Sequence, residues 1–335
     1  MSQDNSSSLV EVARRAKVSI STVSRTLNQT GKISAETQEH VRRVMRELGY
    51  KPNRVARRLR AGGKCHLLGL IIPNIQNPFF ADLARGVEDV AYRNNYAVLL
   101  CNYDEDADKE RFYLDVMQQE SVDGIILPPI NEQDPAVWRV VRSGLPVVCV
   151  DRSLADAPID RVEIDNRRGA FDAVSHLIQR GHRRIGVISG PAHSSTGRER
   201  LAGCREALEQ AGLAAGPVLV RFGDYKQESG RSLTVDLLAV PEPPTALFVC
   251  NNLMTIGALE AIHARQLRIP EQVALVGFDD LPLAAVFNPP LTVVRQPAYA
   301  VGRSAAELLF QRLESPARPP THLKLLPELV VRQSS

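Results

Sequence analysis

From residue 65 onward the chain alternates between short, continuous apolar runs and longer stretches with helical spacing. The runs are LLGLIIP, AVLLCNY, GIILPP, PVVCVD, RIGVISG, VLVRFG, ALFVCN, VALVGF and LTVVRQ. Between them, residues 78–94, 108–120, 168–180, 198–211, 227–239, 253–265 and 299–313 read as helices. A strand that is apolar along its whole length is buried on both faces. Crossover helices supply that cover, so the pattern predicts parallel α/β sheets. The runs are too many for one compact sheet. Two doubly wound lobes fit better, with a break near VEIDNRRG and a return after PPLTVV. In such a fold a ligand sits at the carboxyl ends of the strands.

The first 50 residues follow a different rhythm. Ser8 and Glu11 have capping-box spacing ahead of LVEVARRA. KVS breaks the helix, Ser19 caps a second one in ISTVSRTLN, and Ser34 caps a third, AETQEHVRRVMREL, which Gly49 ends. Val41, Val44, Met45 and Leu48 form its apolar stripe, which Val12, Ala13, Val23 and Leu27 can meet as a small core. Two short helices joined by about three residues fit a helix-turn-helix. With Val23 and Leu27 turned inward, Ile20, Ser21, Thr22 and Arg25 stay outside. Short hydroxyls approach bases closely, and arginine can fork onto guanine.

Charge sharpens this division. The net charge is +3, but residues 1–64 carry 14 Lys+Arg against 5 Asp+Glu, and the remainder carries 27 against 33. A basic head on an acidic body suggests a polyanion held at one end. PNRVARRLRAGG, residues 52–63, is the most basic stretch. Val55, Ala56 and Leu59 share one helical face there, yet a helix of about eight residues is unstable alone. It needs a partner surface, and Gly62 and Gly63 supply a flexible join. The five cysteines have no metal spacing and an odd count, so reduced thiols are expected, with no cofactor. No apolar run reaches the roughly 18–20 residues of a membrane span, and the polar start MSQDNSSS has no export signal. A cytoplasmic protein is the expectation.

LVEVARRAKVSISTVSRTLN, ISAETQEHVRRVMRELGYKPNRVARRLR and the body that follows resemble the lactose/galactose repressor (LacI/GalR) family over essentially the whole chain. The resemblance implies a helix-turn-helix DNA-binding domain at 1–50, a hinge helix and linker at 51–64, and an effector-binding and dimerisation domain at 65–335. The last has the type-I periplasmic-binding-protein fold, crossed three times by the chain. Its N-lobe would span about 65–163 plus 295–322, and its C-lobe about 164–294 plus 323–335. It implies DNA contacts from Ser19, Ile20, Ser21, Thr22, Ser24, Arg25 and Asn28 in the head, and from Asn53, Arg54, Ala56 and Leu59 in the hinge. There the hinge folds only when two chains meet on double-stranded operator DNA, with Leu59 wedged into the minor groove. Without a heptad tail after the last strand-like stretch, a homodimer is expected rather than a tetramer.

The polar residues at the strand ends suggest a sugar site. A sugar offers vicinal hydroxyls on its edge and C–H groups on its faces, so planar hydrogen-bonding groups and aromatic rings suit it. Asn77, Asp151, Arg152, Arg200, Asn251 and Asp279 supply the first; Phe79, Phe80 and Tyr225 supply the second. The motifs NPFF, DR, RER, CNNLMTIGAL and GFDD also resemble those of periplasmic ribose-binding proteins, and Gln296 matches a further contact. Phe79 and Phe80 fall where the purine repressor has an aromatic pair, and Thr196 fits it. However, Ser194 stands where that repressor has an arginine, and Arg152 where it has an aromatic residue. A pentose, ribose or a close relative, is therefore favoured over a purine or a phosphorylated sugar, with a nucleoside or another sugar as further alternatives. No dinucleotide fingerprint, Walker motif or nucleophile elbow occurs, and the histidines are scattered, so no enzyme is expected. A transport receptor would need an export signal and no basic head.

Overall fold

The computed structural model of the protein describes residues 9–28, 33–50, 65–213 and 219–335. The chain divides into two compact units, Met1–Cys65 and His66–Ser335. Among its described residues the first contains three helices: α1 (Leu9–Arg15), α2 (Ile20–Asn28) and α3 (Ala35–Glu47). Ser19 Oγ accepts from Thr22 N at 3.0 Å, and Ser34 Oγ accepts from Thr37 N at 3.2 Å, so each hydroxyl satisfies a helix-start donor. Gly49, at φ +60°, ends α3 in the left-handed conformation that glycine adopts without a Cβ penalty. Val12, Ala13, Ala16, Val23, Val41 and Val44 are buried together, with Leu27, Met45 and Leu48 packed around them. Each fully buried valine contributes roughly 1.5–3 kcal/mol, and a unit with so small a core depends on all of them.

The second unit is an α/β structure of two lobes. The first lobe's strands are β1 (Leu67–Ile72), β2 (Ala97–Asn102), β3 (Gly124–Leu127), β4 (Val147–Val150), β5 (Asp160–Ile164) and β11 (His322–Leu325), in the order β11-β5-β4-β3-β1-β2. Around this sheet lie α4 (Pro78–Arg93), α5 (Ala107–Gln119), α6 (Pro135–Arg142) and α11 (Ala298–Glu314). The second lobe's strands are β6 (Ile185–Ser189), β7 (Leu219–Phe222), β8 (Ala246–Val249), β9 (Ala274–Phe278), β10 (Thr292–Arg295) and β12 (Glu328–Val330), in the order β12-β10-β9-β8-β6-β7. Its helices are α7 (Asn166–Gln179), α8 (Ser195–Gln210), α9 (Gln227–Leu238) and α10 (Asn252–Ala264). Among the described residues every strand pairing is parallel except that of β10 with β12. The apolar central strands β3, β4, β6, β8 and β9 are buried along their whole length. Helices α4 and α11 pack closely because Gly302 lies against the α4 backbone: a Cβ there would fall 2.0 Å from Leu83 O.

The chain passes between lobes after β5, after β10 and after β11. The third passage differs from the expected boundary at 322/323. His322–Leu325 pairs in parallel with Arg161–Ile164, so the whole of β11 belongs to the first lobe. Its residues alternate between exposed and half-buried, as an edge strand does, and no apolar run marks it. β12, at the edge of the other sheet, lacks such a run for the same reason, and β5, between β11 and β4, alternates buried and half-buried positions. Among the described residues all five cysteines are free; Cys149, Cys204 and Cys250 are buried, and Cys65 and Cys101 are half-buried.

Candidate functional site

Two surfaces carry the residues singled out above. In the head, Ser19, Ile20, Ser21 and Arg25 are exposed, and Thr22 and Ser24 are half-buried. Val23 is fully buried on the opposite side of the helix. Ile20 is 46% exposed, a large apolar side chain left in water beside hydroxyls. Those hydroxyls form a cluster, with Ser19 Oγ 2.7 Å from Ser21 Oγ and 2.8 Å from Thr22 Oγ1. Thr26, buried, turns its hydroxyl back onto Thr22 O at 2.9 Å. The start of α2 thus presents small donors and acceptors, one apolar tip and the Arg25 cation, which has no ion pair among the described residues. Asn28 is the last residue of α2. The hinge residues Asn53, Arg54, Ala56 and Leu59 lie outside the described residues.

The second surface is the cleft between the lobes, at the carboxyl ends of the strands. It holds about 580 Å³ of free space, part of it open to solvent. Asn77, Phe79, Phe80, Asp151 and Arg152 line it from the first lobe. Thr196, Arg200, Tyr225, Asn251, Asp279 and Gln296 line it from the second lobe and the return segment. Positions scattered over more than two hundred residues of sequence are brought together because each follows a strand. Asp151, Tyr225 and Asp279 have φ of +58°, +65° and +74°, so the chain turns sharply at these three strand ends. Non-glycine residues seldom adopt that conformation, and such strain concentrates at functional sites.

Each polar side chain is held by neighbours. Asn77 caps α4, accepting from Phe79 N at 2.9 Å, and Asn251 caps α10, accepting from Met254 N at 2.8 Å. Their helix-capping and cleft-lining roles therefore coexist. Arg200 donates from Nε to Asn166 Oδ1 at 2.7 Å and from Nη1 to Cys250 O at 2.6 Å, with its guanidinium 3.8 Å above the Phe278 ring. Tyr225 hydroxyl is 3.1 Å from Ser194 Oγ and 2.9 Å from Thr196 Oγ1. Its ring fills the space that a side chain at position 190 would need: a Cβ on Gly190 would lie 2.2 Å from it. Phe79 and Phe80 meet edge to face, with centroids 5.0 Å apart. Gln296 donates to Asp279. Two further pairs join the lobes: Asn252 with Asn77, and Arg198 Nη2 with Glu132 Oε1 at 2.5 Å.

Sequence reasoning missed Glu105, Asp104 and Asn74, which also line the cleft, and Lys226 and Asp224 beside Tyr225. Glu105 and Asp104 follow β2 in NYDEDAD, where adjacent acids read as a solvated turn; their place at the end of a strand was the available signal. Among the described residues, three buried polar atoms have no hydrogen-bond partner within the protein at this site: Asp151 Oδ1, Arg152 Nε and Gln296 Oε1. Buried polar atoms are nearly always paired, so three without a protein partner in one cleft set it apart. Burial pushes the Asp151 carboxyl up to about 6, against the pull of Arg152 and Arg200. Burial also raises Asp279 and the Tyr225 hydroxyl above their ordinary values.

Residues 8–53 match the model of the bacterial regulatory proteins of the lacI family, and residues 174–335 match that of a periplasmic binding protein-like domain. The HTH-type transcriptional repressor PurR of Aliivibrio salmonicida is 33% identical over 326 residues, covering 97% of each chain. A Lac repressor dimer bound to operator and the anti-inducer ONPF superposes with a TM-score of 0.87, at 29% identity over 98% of this chain and 99% of that one. A LacI family transcriptional regulator from Enterococcus faecium with bound ribose superposes with a TM-score of 0.73, at 26% identity over 80% of this chain and 98% of that one.

Proposed function

Because this chain belongs to the lacI family of bacterial regulatory proteins, and so is a DNA-binding transcriptional repressor rather than an enzyme, we propose that a pentose bound between its lobes controls it. Ribose or a close relative is the favoured effector. The observation that carries this reading is the trio of unpaired buried polar atoms, Asp151 Oδ1, Arg152 Nε and Gln296 Oε1, beside the Phe79–Phe80 pair. One donor and two acceptors match hydroxyls that both donate and accept, and the rings suit the C–H faces of a sugar. The bound ribose in the Enterococcus faecium regulator supports the same choice. A purine or nucleoside is the second reading. It is favoured by the likeness to PurR, and the aromatic pair would serve a flat base equally well.

The repressor acts in the cytoplasm as a homodimer on a pseudo-palindromic operator, with one α2 in each half-site. Ser19, Ile20, Ser21, Thr22, Ser24, Arg25 and Asn28 meet the major groove. Asn53, Arg54, Ala56 and Leu59 serve the hinge, where Leu59 wedges into the minor groove once two hinges pair. Sugar binding favours one arrangement of the lobes, which separates the hinges and lowers operator affinity.

A thermal-shift screen of pentoses, hexoses, nucleosides and purines, repeated with an operator fragment, tests the effector class. Stabilisation by ribose or a related pentose is expected. Stabilisation by a purine or nucleoside alone would replace the pentose with the second reading. Replacing Leu59 with alanine should weaken operator binding without changing sugar affinity in the free protein; unchanged operator affinity would overturn the wedge.

A further inference from the structure

Arg152 sits in the cleft with its guanidinium already spoken for. Nη1 donates to Glu105 Oε2 at 2.8 Å and Nη2 to Glu105 Oε1 at 2.5 Å, a two-pronged ion pair on a side chain only 5% exposed. The Tyr225 ring, from the other lobe, covers the guanidinium at 5.6 Å. Asp151 Oδ2 is 3.8 Å from Nε, too far for a hydrogen bond. Glu105 reaches this position because Asp104 and Glu105 both take left-handed backbone, at φ +56° and +59°, and fold the turn after β2 back over the cleft. Arg200, the other deeply buried arginine of the site, has Nε and Nη1 engaged by Asn166 and Cys250. Carboxylates lining the cleft outnumber its cations five to three.

An arginine with both terminal nitrogens free is a ready fork for phosphate or carboxylate. Here a carboxylate of the protein already fills that fork, leaving Nε as the guanidinium nitrogen without a hydrogen-bond partner. We propose that Glu105 is a specificity-determining residue: by occupying the Arg152 fork, it makes the cleft accept a neutral sugar and reject the phosphorylated form of the same sugar. The proposal rests on the sugar reading of the cleft. It adds that the cleft senses the free sugar, the species present before a phosphoryl-transfer reaction consumes it. Any anion that approached Arg152 would face the half-buried Glu105 carboxylate at close range, and like charges that near each other are unfavourable.

The test uses the full-length chain and two probes, ribose and inorganic phosphate, with calorimetric titration of the wild type, Glu105→Gln, Glu105→Asp and Glu105→Gln combined with Arg152→Gln. Glu105→Ala replaces the glutamine variant if that one does not fold, as judged by circular dichroism. Removing the charge should improve phosphate affinity by about tenfold or more, because the fork is released. Aspartate should keep the wild-type rejection, and the double variant should lose the gain. Equal phosphate affinity in the wild type and in the charge-removed variant would overturn the proposal, as would a gain that survives loss of Arg152. The phosphate titration decides this whether or not ribose binds, whereas absence of ribose binding to the wild type counts against the pentose reading itself.

Discussion

Asn252, at the start of α10 in one lobe, donates a 2.8 Å hydrogen bond to Asn77 Oδ1, at the start of α4 in the other. Both side chains are buried, at 0% and 7% exposure. Asn77 Oδ1 also accepts from Phe79 N, so one oxygen caps a helix and ties the lobes together. Replacing Asn252 with alanine removes the tie and leaves Asn77 with its capping bond. One net hydrogen bond is worth about 1 kcal/mol, so sugar affinity should fall roughly three- to tenfold, mostly through faster release. Stopped-flow binding kinetics check this, and an unchanged release rate would show that the pair plays no part in holding the cleft closed.

Arg200→Ala should abolish the response to sugar while operator binding without sugar persists. The substitution deletes the guanidinium that bridges Asn166, Cys250 O and the Phe278 ring. Truncating a buried, hydrogen-bonded charge also costs stability, on the order of 2–4 kcal/mol. Operator-binding assays with and without sugar, run beside thermal melts, separate the two effects. A variant that still releases operator fully on adding sugar would remove Arg200 from the site.

Asp151 makes the cleft sensitive to pH. Burial raises its folded value to about 6, above the ordinary 3.8. Between those values the folded protein binds the proton more tightly than the unfolded chain, so this group's contribution to stability falls as pH rises across the window. A ligand hydroxyl donating to Asp151 favours the ionised form. Sugar affinity should therefore drop as pH is lowered through about 6, approaching tenfold per unit, and Asp151→Asn should flatten the dependence. Titrations from about pH 5 to 8 measure it; a flat wild-type profile would exclude Asp151 as an ionised contact.

Glu110 predicts a second pH effect, on stability alone. It is fully buried in the first lobe and accepts from Ile130 N at 3.2 Å. Burial, with the nearby Asp134 carboxylate, pushes it from 4.5 up to about 8. The folded value again exceeds the unfolded one, so stability is lost as pH rises from 4.5 towards 8. Glu110→Gln keeps an acceptor for Ile130 and removes the charge. It should raise the melting temperature by a few degrees at about pH 8.5 and hardly at all at about pH 5. An equal change at both values would refute the titration.

Arg25→Ala should cost operator binding about 1–3 kcal/mol and relax discrimination at one base pair of each half-site, as expected for an arginine that forks onto guanine. Competition binding against operators mutated one position at a time reads this out. A uniform loss across all sequences would reassign Arg25 to a phosphate contact.

The amino-acid pattern alone determined the kinds of element and their order. Continuous apolar runs such as GIIL and ALFV, short and bounded by turn residues, read as strands buried on both faces, and the stripe Val41, Val44, Met45, Leu48 as one side of a helix. Those signals are local, because burial imposes a period on neighbouring residues. The cleft residues were legible for a related reason: a polar side chain directly after an apolar strand must emerge at the strand's carboxyl end. Tertiary structure alone decided what local patterning does not encode. β11 carries no apolar run, so its lobe is set by pairing with β5, far away in sequence. Nothing in the sequence singled out Glu105; only the fold sets its carboxylate against Arg152, 47 residues further along the chain. Charge pairing across such distances depends on where two backbones meet in space, and no period along the chain records it.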